Sequence, residues 1–167
     1  MKKYKIYVDM DGVLAGFEEQ IKIKFGVSMG DIPKGKMWAK IKEYNVSIAP
    51  WFETLPKRDD ADMLWSFVND NFEDVEILTA TGSTPKDAAQ QKRNWIAKHY
   101  GANVKVNTVG AATEKAIFAN PSAILIDDRS QAIDPFRQAG GIGILHTDTV
   151  STIQKLQPFL KRLKRHD

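Results

Sequence analysis

Four short apolar runs, residues 75–78, 104–109, 123–126 and 142–145, alternate with helix-patterned stretches through the last hundred residues of the chain. Strands that alternate with helices build βαβ units, and such units close most simply into a parallel sheet with helices on both faces. The helical stretches are 88–100, with Trp95 and Ile96 predicted inward, and a short one over 112–119. Asp134 and Pro135 suit an N-cap and a first helical position, which predicts a further short helix ending by Gly140. Val150, Ile153, Leu156, Phe159, Leu160 and Leu163 mark a final amphipathic helix. Near the start, Tyr4, Ile6, Tyr7 and Val8 supply a fifth strand. The expected fold class is α/β, a Rossmann-like parallel sheet.

The regularity is interrupted once. Phe17, Ile21 and Phe25 recur at four-residue spacing and predict a helix over 15–25 that stops near Gly26. Residues 29–36 hold two glycines and Pro33 and read as a loop. Trp38, Ile41 and Tyr44 then share a helical face, followed by an aromatic turn at 49–53. Past Pro56, Asp59 and Asp60 are plausible N-caps for a helix through Met63, Leu64, Phe67 and Val68. Connections in compact domains are short, so the span between the first strand and this helix exceeds a simple crossover. The expected organisation is a core domain of 1–15 and 57–167, with 16–56 inserted as a small helical cap.

Composition narrows the function classes. With 43% hydrophobic and 27% charged residues, the 167-residue chain has the balance of an ordinary globular protein with a real core. No apolar run approaches the ~20 residues that span a bilayer, and the basic N-terminus turns acidic before any signal-peptide core could form, so a cytoplasmic location is expected. With no cysteine there is no disulfide, thiolate ligand or cysteine nucleophile. The net charge of +3 is mild, and Lys161, Arg162, Lys164 and Arg165 supply much of it. That tail suits a solvated helix end, or a nucleic-acid contact. Neither a nucleophile elbow nor a Walker loop is present. His99 and His166 are expected at the surface, and His146 as a structural hydrogen-bonder at a strand end.

Three strand ends carry polar residues: Asp9 and Asp11, then Thr79 through Ser83, then Asp127 and Asp128. A parallel sheet brings its strand C-termini to one edge, where ligands bind in such folds. Asp9-Met10-Asp11-Gly12 alone could be a turn, since Asp and Gly are favoured there. Two carboxylates about 4 Å apart repel by roughly 4 kcal/mol at an effective dielectric near 20, and a proton, a basic side chain or a hard cation must offset that. Mg²⁺ prefers oxygen ligands of this kind. Lys115, leading into the Asp127 strand, is the candidate cation of the chain itself.

These residues carry a resemblance. The DMDGVL, LTATG, Lys115 and LIDDR blocks resemble the four motifs of the haloacid dehalogenase superfamily of aspartate-nucleophile phosphatases. DMDGVLAGFE, KRNWIAKHYG and LIDDR are similar, in order and spacing, to the 5′(3′)-deoxyribonucleotidase family. The resemblance implies an aspartyl-phosphate on Asp9, with Asp11 as general acid and base, and Thr79 and the Ala80 N–H on the phosphoryl oxygens. Lys115 would neutralise nucleophile and phosphate. Mg²⁺ would bind the Asp9 carboxylate, the Asp11 backbone carbonyl and Asp128, with Asp127 ligating or orienting. Phe17, Trp51 and Phe52 would form an apolar slot for a nucleobase. Four acids plus a phosphate dianion total about −6 against about +3 from Mg²⁺ and Lys115, so helix N-termini and protonation must supply the remainder. The chain departs from the family at Gly16, where an acid is common, in Thr-Ala-Thr-Gly, and in its shorter cap.

The function expected is a Mg²⁺-dependent phosphomonoesterase acting on a small molecule, a nucleoside monophosphate foremost. The alternatives are a polynucleotide-end or sugar-phosphate phosphatase, and a non-catalytic binder of phosphate ligands. No membrane partner is expected.

Overall fold

The computed structural model describes residues 3–160. Five strands form one parallel sheet in the order β3-β2-β1-β4-β5: β1 is Lys5–Val8, β2 Asp74–Ala80, β3 Val106–Val109, β4 Ala123–Asp127 and β5 Ile142–Leu145. The helices are α1 (Phe17–Phe25), α2 (Lys34–Ser47), α3 (Ala61–Asn71), α4 (Ala88–Tyr100), α5 (Ser130–Gln138) and α6 (Thr149–Leu156). Short 3₁₀ turns occupy Met29–Asp31, Ala112–Phe118 and Gln157–Phe159. Among the described residues, no helix is long and apolar enough to cross a membrane.

The sheet winds outward from β1, with β2 and β3 on one side and β4 and β5 on the other. In open sheets of this kind the crevice opens where strand order reverses, here between β1 and β4. Alternation along each strand sends side chains to two faces. Ile6, Val8, Ile77, Ile124 and Ile126 face the larger core, which also takes in α4 and the segment between β1 and α3. Tyr7, Leu78 and Leu125 face a second layer with Ala132, Ile133 and Phe136 of α5.

The stretch after β1 leaves and returns through paired backbone. Gly16 N–H donates to Pro56 O at 2.7 Å, Arg58 N–H donates to Leu14 O at 2.9 Å, and Ala15 forms an antiparallel bridge with Lys57. Between those two crossings lie α1, α2 and an aromatic turn. Ile21, Met37, Ile41, Trp51 and Phe52 join the apolar core of the sheet itself.

Several local expectations are corrected. The loop expected over 29–36 is shorter: a 3₁₀ turn forms at Met29–Asp31, and α2 begins at Lys34, directly after Pro33 in the N-cap position. Pro135 lies inside α5, not at its start. An interior proline costs a helix about 3 kcal/mol, but burying a side chain such as Ile133 or Phe136 returns roughly 1.5–3 kcal/mol each. Both are fully buried, and packing outweighs the breaker. The terminal helix ends at Leu156; Thr149, Thr152 and Leu156 are buried, whereas Val150 is 60% exposed. Leu163, His166 and the basic tail lie outside the described residues. His99 is half-buried rather than on the surface, its ring 4.3 Å from that of Trp95.

Asp60 stands at the N-cap of α3 but caps another helix. Its Oδ2 accepts the Thr149 N–H at 2.8 Å, and the Thr149 hydroxyl donates to the Asp60 carbonyl at 2.9 Å, which pins the start of α6. Burial works against the Asp60 carboxylate, yet the bonds from Thr149 hold it below its ordinary range. A depressed carboxyl adds stability above its unfolded value and loses it as pH falls through the folded one. Asp60→Ala is expected to cost about 1–2 kcal/mol in urea unfolding at pH 7. The gap from wild type should close below the ordinary 3.8; an equal gap at pH 3 and pH 7 would contradict this.

Candidate active site

Register explains how residues far apart in sequence meet. Val8 pairs with Ile77 on one side and Ile126 on the other, and the Asp9 N–H donates to Ile126 O at 2.9 Å. Asp9 and Asp127 are therefore neighbours one step past the paired positions. By strand alternation they continue the face of Tyr7 and Leu125. One carboxylate oxygen each from Asp9, Asp127 and Asp128 lies within 4.8 Å of the others.

Lys115 reaches this cluster from the 3₁₀ turn on the same face. Its Nζ donates to Asp9 Oδ1 at 2.9 Å and to Asp127 Oδ2 at 2.6 Å, and only 2% of the residue is exposed. Burial alone would pull its pKa down, but the charges of Asp9 and Asp127 outweigh it and raise it. Asp127 Oδ1 accepts the Arg129 N–H at 3.0 Å. Asp127 thus carries a hydrogen bond on each of its carboxylate oxygens.

One lysine does not balance the acids. Burial, followed by the charge of Asp9, pushes the Asp127 carboxyl up to about 7, with Lys115 opposing. Burial and then the charges of Asp9 and Asp127 push Asp128 up to about 8. Such a cluster of hard oxygen donors, short of positive charge, fits a divalent cation. Gly12 makes room for it. A Cβ there would stand 2.1 Å from Asp128 Oδ2, and φ is +82°. Side chains in that region are disfavoured by roughly 1–2 kcal/mol. Gly12→Ala is expected to lose about that much stability and to displace Asp128, weakening cation affinity roughly 10- to 100-fold. Titration with Mn²⁺, followed by its effect on water relaxation, checks it; unchanged affinity would count against Asp128 as a ligand.

The other face of the sheet holds the other pair. Thr79 continues the Ile77 face, toward α4, and there it meets Lys92, a residue that sequence reasoning passed over. The Lys92 Nζ donates to Asp11 Oδ2 at 2.8 Å, Thr79 Oγ1 at 2.9 Å and the Ala80 carbonyl at 2.7 Å. Only 1% of it is exposed. A signal existed: Lys92 sits among Ala88, Gln91, Trp95 and Ile96 on the inward stripe of α4, where a cation must have a partner. Burial raises the Asp11 carboxyl above its ordinary value, Lys92 opposes, and Asp9 adds to the rise.

The three aromatic candidates are placed unequally. Phe17 is half-buried and packs within about 6 Å of Trp38, Trp51 and Phe52. Trp51 has no exposed surface, with Phe25 stacked on it at 5.4 Å, and Phe52 is 2% exposed. Of the three, Phe17 alone keeps partly exposed surface. His146 is buried, with Nδ1 2.7 Å from Thr152 Oγ1, and is a structural contact as expected.

No protein-family model matches the chain. Mitochondrial 5′(3′)-deoxyribonucleotidase of Mus musculus is 27% identical over 178 residues, covering 95% of this chain and 80% of that protein. Among solved structures, a haloacid dehalogenase-superfamily hydrolase from Ehrlichia chaffeensis superposes with a TM-score of 0.55 at 13% identity, covering 97% of this chain and all of that one. A haloacid dehalogenase-family enzyme from Bacteroides thetaiotaomicron, solved as a magnesium complex, gives a TM-score of 0.50 at 14% identity over 88% of this chain and 94% of that one. The fold is that of the haloacid dehalogenase-like hydrolases, and the chain resembles the deoxyribonucleotidase in sequence.

Proposed function

We propose that this chain, with a haloacid dehalogenase-like fold, is a Mg²⁺-dependent phosphomonoesterase that dephosphorylates nucleoside monophosphates, deoxyribonucleotides foremost. The observation that carries the reading is the meeting of Asp9, Asp127 and Asp128 around shared space, with Lys115 bonded to the first two. The resemblance to a deoxyribonucleotidase supports the nucleotide.

In this scheme an Asp9 oxygen bonds to phosphorus as the ester P–O bond breaks. The electron pair goes to the leaving oxygen, which takes a proton from Asp11. Water then attacks the aspartyl-phosphate while Asp11 recovers the proton, and inorganic phosphate leaves with the Asp9 carboxylate restored. Splitting one displacement into two lowers each barrier. Lys115 keeps Asp9 aligned and offsets phosphoryl charge, and Thr79 with the Ala80 N–H holds the equatorial oxygens. Asp9, Asp128 and the Asp11 carbonyl would hold Mg²⁺, with Asp127 beside them; the ion, when bound, supplies further positive charge at the phosphoryl group. Residues 16–56 act as a cap, and Phe17, backed by Trp51 and Phe52, stacks on the base for about 1–3 kcal/mol.

Phosphate release from a panel of nucleotides and sugar phosphates, with Mg²⁺ and with chelator, tests the reading. Release is expected from deoxyribonucleoside monophosphates with Mg²⁺ only. A polynucleotide-end phosphatase would instead lose activity steeply with salt, since binding a polyanion releases counterions. Nucleotide binding with no phosphate released from any substrate would leave a non-catalytic binder.

A further inference from the structure

The buried ammonium of Lys92 has three donors and spends all three. One goes to Asp11 Oδ2, while Asp11 Oδ1 is buried and, among the described residues, has no hydrogen-bond partner. The two oxygens of a carboxylate are chemically equivalent until the protein distinguishes them. Here Oδ2 accepts the Lys92 ammonium, and Oδ1 accepts no hydrogen bond from the described residues. The Phe52 ring covers the ammonium, 4.6 Å from Nζ to the ring centroid. The neighbouring Gln91 accepts the Phe52 N–H at 2.9 Å, Trp95 Nε1 donates to Leu55 O at 2.8 Å, and Asn94 donates to Glu53 at 3.1 Å. Helix α4 therefore binds the returning end of the 16–56 segment and places Lys92 beneath it.

We propose that Lys92 is a positioning residue for Asp11: it fixes Oδ2 against Thr79 and the end of β2 and so holds the carboxylate in one place for passing the proton to and from the reacting group. The inference rests on Asp11 being the acid and base of the proposed hydrolysis. Lys115 and Lys92 then divide the site by sheet face, the first serving the nucleophile and the second the proton donor.

The leaving group separates this role from a structural one. An alkoxide leaving group, as in 2′-deoxyuridine 5′-monophosphate, needs a proton as it departs; p-nitrophenolate does not. Lys92→Met is expected to lower kcat/KM, which reports the first displacement alone, about 100-fold for the nucleotide and less than about tenfold for p-nitrophenyl phosphate, while hydrolysis of the shared aspartyl-phosphate slows for both. Comparing the two substrates in one preparation cancels any loss of folded protein. Equal falls in kcat/KM for the two substrates would overturn the proposal. The chain has no cysteine, so Lys92→Cys can be alkylated with 2-bromoethylamine at that position alone, and the restored ammonium should recover the nucleotide rate preferentially. In a crystal structure of Lys92→Met, the Asp11 carboxylate should leave its place beside Thr79; an unmoved Asp11 would overturn the proposal whatever the kinetics. Should wild type hydrolyse neither substrate while Asp11 does swing away in the variant, the hydrolytic reading fails and the positioning of Asp11 stands.

Discussion

Asp9→Asn is expected to abolish phosphate release, by at least ~10⁴-fold, while the protein folds normally. An amide cannot form the acyl phosphate, and no neighbour can replace it: Asp127 has both oxygens bonded, and Asp11 has one on Lys92. The same change relieves crowding. Asp9 is among the causes that raise Asp127 to about 7 and Asp128 to about 8. Raised carboxyls keep protons in the folded state that the unfolded chain has released, so metal-free stability falls as pH rises from about 4 to about 8. In Asp9→Asn that fall should be shallower, and the increase in Tm on adding Mg²⁺ should be largely lost. Release assays with single-turnover quench, and melting curves at several pH values with and without Mg²⁺, measure both effects. Activity persisting near wild type would eliminate the covalent scheme.

Lys115→Met is expected to be the most destabilising single change in the site. It leaves Asp9 and Asp127 facing each other without the buried ammonium that bonds to both. Removing one partner of a buried ion pair costs about 3–5 kcal/mol. At roughly 2–4 °C per kcal/mol for a domain of this size, Tm should drop by about 6–20 °C. Catalysis should fall as well, on the order of 10³-fold, from loss of charge stabilisation. The remedy identifies the cause: adding Asp127→Asn to Lys115→Met removes the stranded charge, and the double variant should regain most of the lost Tm. A Lys115→Met drop of under ~1 kcal/mol would mean that Asp9 and Asp127 do not depend on it.

Much of the fold was legible because its signals are local. The alternation of apolar runs and helical stripes identified α4 at Ala88–Tyr100 and β5 at Ile142–Leu145 to the residue. Boundaries were misread where long-range packing outweighed a local breaker. Pro135 marks a helix start in isolation, but Ile133 and Phe136 need a place under the sheet, so α5 begins at Ser130. Asp60 resembles a cap for its own helix, and no neighbour in sequence shows that Thr149, far along the chain, takes its carboxylate.

The site divides the same way. The acids at strand ends were readable because a parallel sheet must gather its C-terminal ends, so the meeting of Asp9, Asp127 and Asp128 follows from chain order and sheet type. Lys92 could not be assigned that way. A charge on an inward helical stripe shows only that a partner exists, and its partners, Asp11 and Thr79, lie 81 and 13 residues away.

The sequence by itself determined the order of strands and helices, the acids and hydroxyls at the strand ends and the absence of cysteine chemistry, since each is written in contiguous residues. The tertiary fold was needed to show that Lys92 serves Asp11. In a strand, shifting register by one residue sends every side chain to the other face. The pairing of Val8 with Ile77 and Ile126 therefore places Asp9 and Asp127 on the side of Lys115, and Thr79 on the side of Lys92.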